Sequence, residues 1–264
     1  MEWPSLLLGT IVLRPYVFVF LAVYLTIAIL NMGLVRSIVF TVLAYTIAFL
    51  SEYSSTRIGF PYGFYEYIET TRGQELWISN VPFMDSLSYS FLAYVAYTMA
   101  LFMWSPLKIN RWDIRLVESA RVRGSLRVVF SGTIFFMLMD VIIDPVAFQG
   151  ERWFLGKIYT YKEQGEYFNI PLTNFFGWLL VGSIILYSFT RLDRHLDQTF
   201  PYKKQGLPAQ ALLGPALYFG VLLFNLAVTF YIGEWSLGFC GVALTTMLFW
   251  LLYQKIKKPE KFSL

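Results

Sequence analysis

Residues 15–52 read PYVFVFLAVYLTIAILNMGLVRSIVFTVLAYTIAFLSE, and Arg36 is the one charged side chain before Glu52. A helix that crosses a bilayer needs about 20 mainly apolar residues, within a range of roughly 17–25. The stretch divides into two segments of this kind, 15–32 and 36–52, with a short break between them. It therefore predicts two successive membrane-spanning helices.

The rest of the chain has the same apolar character. Further segments long enough to cross a membrane lie at 84–104, 127–144, 171–189, 212–232 and 235–253. Only 14% of the 264 residues are charged and 57% are hydrophobic, whereas a soluble domain carries about 25% charged residues. The sequence therefore predicts an all-α, polytopic transmembrane helix bundle of about seven helices, with residues 1–264 forming one integral membrane domain.

Basic residues are concentrated on one side of this predicted bundle. They lie in the loops after the third and fifth helices and in the C-terminal tail, and include Arg111, Arg123, Arg194 and Lys257. Cytoplasmic loops carry an excess of Lys and Arg, which predicts the N-terminus outside and the C-terminus in the cytoplasm. Anionic headgroups and topology account for the basic side, and no nucleic-acid recognition motif accompanies it. We expect a multi-pass plasma-membrane protein that contacts membrane lipids and no nucleic acid.

Acidic side chains are rare inside membranes and usually functional, and here they gather at one depth. Glu52 ends the second predicted helix, and Asp85 begins the third. Asp140 and Asp144 lie near the end of the fourth helix, and Asn174 lies in the first turn of the fifth. With the predicted topology, all of these side chains lie near the boundary of the outer leaflet, where they indicate a polar site.

Asp140 and Asp144 are four residues apart, so they share a helix face. Two carboxylates that close cannot both ionise easily where water is scarce. One of them is therefore expected to stay protonated, as a general acid must be.

These acids also have purely structural interpretations. Asp144 could end its helix at the following proline, and Asp140 could pair with Arg57 or Arg152. Asp85 could serve only as an acid near a helix N-terminus. The spacing alone leaves these alternatives open.

Aromatic residues are dense just after Glu52. The segment STRIGFPYGFYEY at 55–67 contains Tyr62, Phe64, Tyr65 and Tyr67. Such rings suit an interfacial aromatic belt, a slot for a flat conjugated ligand, or the stabilisation of a cation. The spacing by itself favours the belt.

Several other site classes are excluded. The chain has one cysteine and one histidine, which rules out a disulfide framework, a cysteine cluster and a metal site built on several imidazoles. A G-x-S-x-G elbow and a P-loop are both missing from the sequence, so serine hydrolase and NTPase functions have no support.

Three segments together carry a family resemblance: EYSSTRIGFPYGFYEY at 52–67, MDVIIDPVAF at 139–148 and YFNIPLTNFFGW at 167–178. In order and spacing, and with Val81-Pro82, they resemble the membrane-integral carotenoid 1,2-hydratase family over about 45–185. That family includes the γ-carotene 1′-hydratases and the bisanhydrobacterioruberin hydratases. The chain departs from the family pattern in two places, namely at Asn169, where glycine is expected, and at Ser88-Tyr89, where tryptophan is expected.

The resemblance implies a hydro-lyase that adds water across the terminal C1–C2 double bond of an acyclic ψ end group, giving a tertiary alcohol. It implies no redox cofactor and no metal. Because protonation of such an alkene gives a tertiary carbocation, Asp140 or Asp144 is expected to deliver the proton. Glu52 or the other aspartate would then accept a proton from water, and Asn174 would orient that water. The side chains expected to bind the carotenoid or similar long isoprenoid are Arg57, Tyr62, Phe64, Tyr65, Tyr67, Asp85 and Trp178.

Two other functions fit parts of the pattern. A membrane enzyme that cyclises the end group or transfers a prenyl group would use a similar lipid. The transferase would need Asp140 and Asp144 to hold magnesium on a diphosphate. The basic residues that would bind the phosphates lie mostly at the opposite side of the predicted bundle. A small proton-coupled transporter would use the buried acids as a relay, although the chain shows no doubled half of the kind common in transporters.

Overall fold

The computed structural model describes residues 3–117, 119–202 and 206–259. The helices in this part are α1 (Trp3–Leu13), α2 (Pro15–Ile58), α3 (Phe83–Trp104), α4 (Ala120–Arg123), α5 (Leu126–Phe148), α6 (Leu172–Thr199), α7 (Leu213–Tyr231) and α8 (Trp235–Lys257). The strands are β1 (Tyr65–Tyr67), β2 (Trp77–Ile78), β3 (Val81–Pro82), β4 (Leu107–Asn110), β5 (Asp113–Leu116) and β6 (Tyr159–Tyr161). They form the antiparallel pairs β1–β6, β2–β3 and β4–β5 in the loops. The predicted all-α polytopic bundle is confirmed.

Six of the described helices, α2, α3 and α5 to α8, are long and apolar enough to cross a membrane. With 44 residues, α2 is about twice as long as the roughly 30 Å bilayer core requires. Gly33 interrupts it with φ 81° and ψ 165°, and the two segments, α2a (15–32) and α2b (34–58), fold back on each other. Tyr24 and Thr41 share a 2.7 Å side-chain hydrogen bond, whereas a straight helix would hold them about 25 Å apart. The six helices therefore provide seven crossing segments, as predicted.

Gly33 adopts a backbone conformation that is essentially restricted to glycine. A Cβ at this position would meet nothing within 4 Å, so a substitution tests the backbone alone. We expect Gly33→Ala to lower the free energy of unfolding by about 1–3 kcal/mol, measured by unfolding of the purified protein in detergent. The control is Gly220→Ala in α7, where a Cβ also meets nothing within 4 Å. Equal stability of the two variants would show that the hairpin tolerates a side chain at position 33.

The first helix, α1, is a feature that the sequence analysis does not predict. Its 11 residues are too few to cross a bilayer. Trp3 and Val12 are exposed, while the Thr10 hydroxyl accepts a 2.8 Å hydrogen bond from the backbone N–H of Leu76. This helix therefore lies against the loop that follows α2, at one end of the bundle.

Helix α5 continues through Pro145 to Phe148, so the prediction that it ends at residue 144 is wrong. Proline is tolerated because it stands in the last turn, where its missing N–H removes a single helical hydrogen bond. The side chain of Gln149 donates a 3.2 Å hydrogen bond to the Pro145 carbonyl. Asp144 therefore lies inside the helix, one turn after Asp140, and does not terminate it.

A buried ion-pair network joins α2b, α4 and α6 at the basic end of the bundle. Arg36 and Arg123 donate from Nε to the two carboxylate oxygens of Asp193, at 2.6 and 3.0 Å. Both guanidinium groups also contact Asp197, at 2.9 and 3.0 Å, and both lie over the Tyr202 ring. The predicted polar site lies at the opposite end. Which end faces the cytoplasm stays a prediction from the charge distribution.

Candidate active site

One cavity brings most of the predicted polar residues together at the end of the bundle opposite the ion-pair network. It is partly open and contains about 940 Å³ of empty space when its open part is included. Its polar lining is contributed by α2b, α3, α5, α6 and the β1–β6 pair, and includes Glu52, Asp85, Asp144, Asn174, Tyr67 and Tyr159.

Asn174 connects the two aspartates of α5. Its Nδ2 donates to Asp140 Oδ2 at 2.7 Å and to Asp144 Oδ2 at 2.6 Å, so the two carboxyl groups lie next to each other. The geometry arises because the aspartates are one turn apart on α5 and Asn174 lies in the first turn of the adjacent α6. Asp144 lines the cavity, while Asp140 is fully buried behind it. Within the described residues, no hydrogen-bond donor reaches Asp140 Oδ1.

The other two carboxyl groups are held by the first turn of α3 and by β1. Glu52 is 1% exposed and accepts a hydrogen bond from the Ser86 hydroxyl. Asp85 accepts a hydrogen bond from the hydroxyl of Tyr67. Its side chain therefore has a tertiary contact in addition to its position near the N-terminus of α3. In the described ranges, no group of three or more His, Cys, Asp or Glu side chains is placed to hold a metal ion.

The β1–β6 pair supplies a cluster of tyrosines. Tyr65 lies opposite Tyr161 and Tyr67 opposite Tyr159 in the antiparallel register, and the Tyr159 hydroxyl donates to the Asp144 carbonyl at 3.3 Å. Burial raises the pKa of Tyr67 and of Tyr159 well above the usual phenol value, so both hydroxyls stay neutral. The sequence analysis missed Tyr159 and Tyr161, although YTY at 159–161 repeats the alternation of YEY at 65–67.

Aromatic rings form another part of the cavity wall. Trp178, one turn after Asn174, stacks on Tyr89 with centroids 4.6 Å apart and planes at 11°, and the ring of Tyr62 lies 6.3 Å from Trp178. A Cβ at Gly177 would stand 2.4 Å from the Tyr62 ring, so glycine permits this contact. Tyr62 and Trp178 therefore line the cavity together with Tyr89, and their binding of a substrate stays a prediction.

The two departures from the family pattern leave this site intact. Asn169 has φ 68°, in the left-handed region that glycine adopts freely and asparagine tolerates better than most residues. Tyr89 supplies an aromatic face at the position where the pattern has tryptophan. Neither substitution therefore removes a backbone conformation or a ring from the site.

The structure does not bring Arg57 into the cavity. Arg57 is five positions beyond the buried glutamate of α2b, which is about 140° around the helix. Its guanidinium is exposed and donates to Asn80 Oδ1 at 2.7 Å. Arg152 pairs with Glu234, which lies in the turn between α7 and α8. Neither arginine pairs with Asp140, which accepts a hydrogen bond from Asn174.

Phe64 is the other predicted substrate-binding residue that does not line the cavity. Successive side chains of a strand point to opposite faces, so Phe64 faces away when Tyr65 faces inward. The Phe64 ring is 37% exposed, and the ammonium group of Lys162 lies 3.8 Å from its centroid. Its expected role in substrate binding is therefore corrected.

A buried ion pair that the sequence analysis did not identify holds the loops over the cavity. Arg14, between α1 and α2, donates from Nη2 and Nε to Glu75 at 3.0 and 3.2 Å. Its Nη1 also donates to the carbonyl of Leu155. The start of α2 is thereby joined to both loops at this end of the bundle, one before α3 and one before α6.

Comparison with known proteins agrees with these features. A family model described as carotenoid biosynthesis protein matches residues 5–249, a range that includes every residue lining the cavity. No curated protein and no solved structure matches the chain. This multi-pass membrane protein, with its carboxyl-lined cavity, belongs to the carotenoid biosynthesis protein family.

Proposed function

We propose that this protein is a carotenoid hydratase, a hydro-lyase that adds water across the terminal C1–C2 double bond of an acyclic ψ end group. The observation that carries the proposal is the pair of aspartates joined by Asn174 in the wall of a cavity that also holds Glu52 and Asp85. Family membership supports a carotenoid or similar isoprenoid substrate. We place the protein in the plasma membrane with the cavity towards the outer face, as the charge distribution predicts.

The reaction begins with proton transfer from the aspartate pair to C2. Asp144 lines the cavity and faces the substrate, while Asp140 lies behind it. One proton shared by the pair avoids two adjacent charges where water is scarce. As the C1–C2 π bond breaks, its electrons form the new C2–H bond and leave a tertiary cation at C1. A positioned general acid of this kind contributes about 10²–10⁴-fold to the rate.

The rings of Trp178, Tyr89 and Tyr62 lie where they can face this cation. Aromatic faces attract cations through the ring quadrupole, and the Tyr89–Trp178 stack fixes the orientation of two of them. The stack lies one helical turn from Asn174, so the cation would form between the aromatic wall and the carboxyl groups.

Glu52 then accepts a proton from the water that attacks C1. Ser86 holds the Glu52 carboxyl from the first turn of α3, and the new C1–O bond gives the tertiary alcohol. A proton returns from Glu52 to the aspartate pair before the next turnover, so water is the one reagent consumed. Asn174 donates to both aspartates, so we assign it the positioning of the pair in place of the orientation of water.

The product mass tests this function. The gene is expressed in a host that accumulates an acyclic carotenoid, and pigments are separated by chromatography and weighed, with ¹⁸O-labelled water as the oxygen source. We expect a more polar pigment, heavier than the substrate by one labelled water. A cyclic product of unchanged mass would identify an end-group cyclase instead, because the same protonation starts both reactions. An unchanged pigment profile would contradict the proposal.

A further inference from the structure

The cavity continues beyond the carboxyl groups into an apolar half. There it is lined mainly by side chains of α2a, α3 and α7, among them Val17, Phe91, Leu92 and Val221. The cavity is therefore polar at one end and apolar at the other. An amphipathic space of this kind fits a reacting end group followed by a hydrocarbon chain.

Aromatic rings stand between this apolar half and the outside of the bundle. We call Tyr16, Phe20, Trp153 and Phe224 the aromatic seam, and all of them line the cavity. The Tyr16 and Phe224 rings stack with centroids 5.6 Å apart, and Phe20 meets Phe224 edge-on, also at 5.6 Å. Trp153 lies 6.4 Å from Phe224 at the loop end of the seam. The seam therefore closes the boundary between α2a and α7 with side chains alone.

The residues beside the seam face the surrounding lipid. Val19, next to Phe20, is 60% exposed, and Leu223, next to Phe224, is 58% exposed. In a membrane-crossing bundle, an apolar outer surface at this position contacts acyl chains. A displacement of the two phenylalanine rings would therefore connect the cavity with the bilayer and not with water.

The two phenylalanines are held by apolar packing and ring contacts, without a side-chain hydrogen bond. Trp153 is fixed by a 3.1 Å hydrogen bond from its Nε1 to the Val146 carbonyl, whereas a phenylalanine ring has no polar atom to anchor it. An aromatic pair contributes little stabilisation beyond that of its buried area. A hydrocarbon chain lying between Phe20 and Phe224 would replace the lost contacts with its own.

We propose that the aromatic seam is the binding site and lateral passage for the long apolar chain of the substrate. The end group would lie beside Asp144, and the chain would leave the cavity between α2a and α7 and continue in the bilayer. Exposure of such a chain to water would be unfavourable in proportion to its apolar surface, and this route avoids that exposure. The inference rests on the proposed function for the end group, but the seam itself requires only an elongated isoprenoid.

Photo-cross-linking tests whether the aromatic seam contacts the pigment, and it does not require the protein to catalyse the hydration reaction. Benzoylphenylalanine is placed at position 20 or 224 in a carotenoid-producing host, and pigment adducts are measured by absorbance and mass. The control position is Phe239 of α8, which is 65% exposed and lies away from the seam. We expect several-fold more pigment adduct at 20 and 224 than at 239. Equal labelling at all three positions would overturn the inference, since it would show contact with bulk membrane pigment only.

Reversible closure of the seam tests the passage. Phe20→Cys and Phe224→Cys are combined with Cys240→Ser, which removes the one native cysteine. A short cross-linker then joins the two new cysteines, and a reductant can cleave it. We expect closure to abolish conversion of the full-length carotenoid, and cleavage to restore it. A short acyclic isoprenoid with the same end group, bound before closure, should still be converted, because it lies entirely inside the cavity. Loss for both substrates, or for neither, would overturn the inference.

These outcomes separate the two proposals. If the unmodified protein hydrates neither substrate, the proposed function fails, and the adduct pattern at positions 20, 224 and 239 still decides whether the seam binds an isoprenoid chain. If hydration occurs and the adduct yields at the three positions are equal, the proposed hydratase function is supported and the proposed role of the aromatic seam is contradicted.

Discussion

Asp144→Asn and Asp140→Asn are each expected to reduce hydration of the end group by roughly 10²–10⁴-fold, the usual contribution of a positioned general acid. Each change removes a carboxyl while keeping nearly the same shape and the hydrogen bond from Asn174. With one carboxyl group replaced by an amide, the two side chains can no longer share a proton. The measurement is the initial rate of product formation in membranes that contain matched amounts of each protein.

The control for this series is Glu66→Gln. Glu66 lies on β1 at the same end of the bundle, but its side chain is exposed on the face opposite Tyr65 and Tyr67. We expect a rate equal to that of the unchanged protein. Wild-type rates for both aspartate variants would remove the proposed mechanism.

The double variant separates a functional pair from two independent contributions. If Asp140 and Asp144 act as one proton-holding unit, the second substitution should add little to the first, because residues that act as a unit are strongly non-additive. A double variant whose loss equals the product of the single losses would show that the two carboxyl groups act separately.

The largest expected effect on stability follows the loss of Asp193. Its carboxylate accepts from Arg36 and Arg123 at 2.6 and 3.0 Å, and all three side chains are buried. Asp193→Asn would remove the buried counter-charge of the two guanidinium groups and leave them only the partly exposed carboxylate of Asp197. Removal of one partner from a buried ion pair typically costs about 3–5 kcal/mol. We expect a loss of this size in the free energy of unfolding, measured in detergent.

An exposed ion pair provides the matched comparison. Arg72 and Glu69 form a salt bridge in the loop before α3, with side chains 48% and 56% exposed, and exposed pairs contribute about 0–1 kcal/mol. Glu69→Gln should therefore change stability by no more than that. If Asp193→Asn were equally mild, the network at the basic end would not be what joins α2b, α4 and α6.

The sequence by itself determined the membrane-crossing segments and the end of the bundle at which the acids lie. Hydrophobicity is a local property, so 15–32 and 84–104 are recognisable without their neighbours in space. Because successive crossings alternate in direction, Glu52 at the end of one segment and Asp85 at the start of the next must lie at the same end of the bundle. The helices have the length and apolarity to cross a membrane, and the two acids line one cavity at the same end of the bundle; their depth in the bilayer stays a prediction.

Only the tertiary structure decided which side chains meet. Asn174 bonds two aspartates that are 34 and 30 positions away, and Arg14 pairs with Glu75 at a separation of 61 residues. Such contacts depend on the rotation of each helix about its axis and on the path of the loops. Neither is specified by hydrophobic periodicity in a single segment, which is why Arg57 and Phe64 were expected in the cavity and lie outside it.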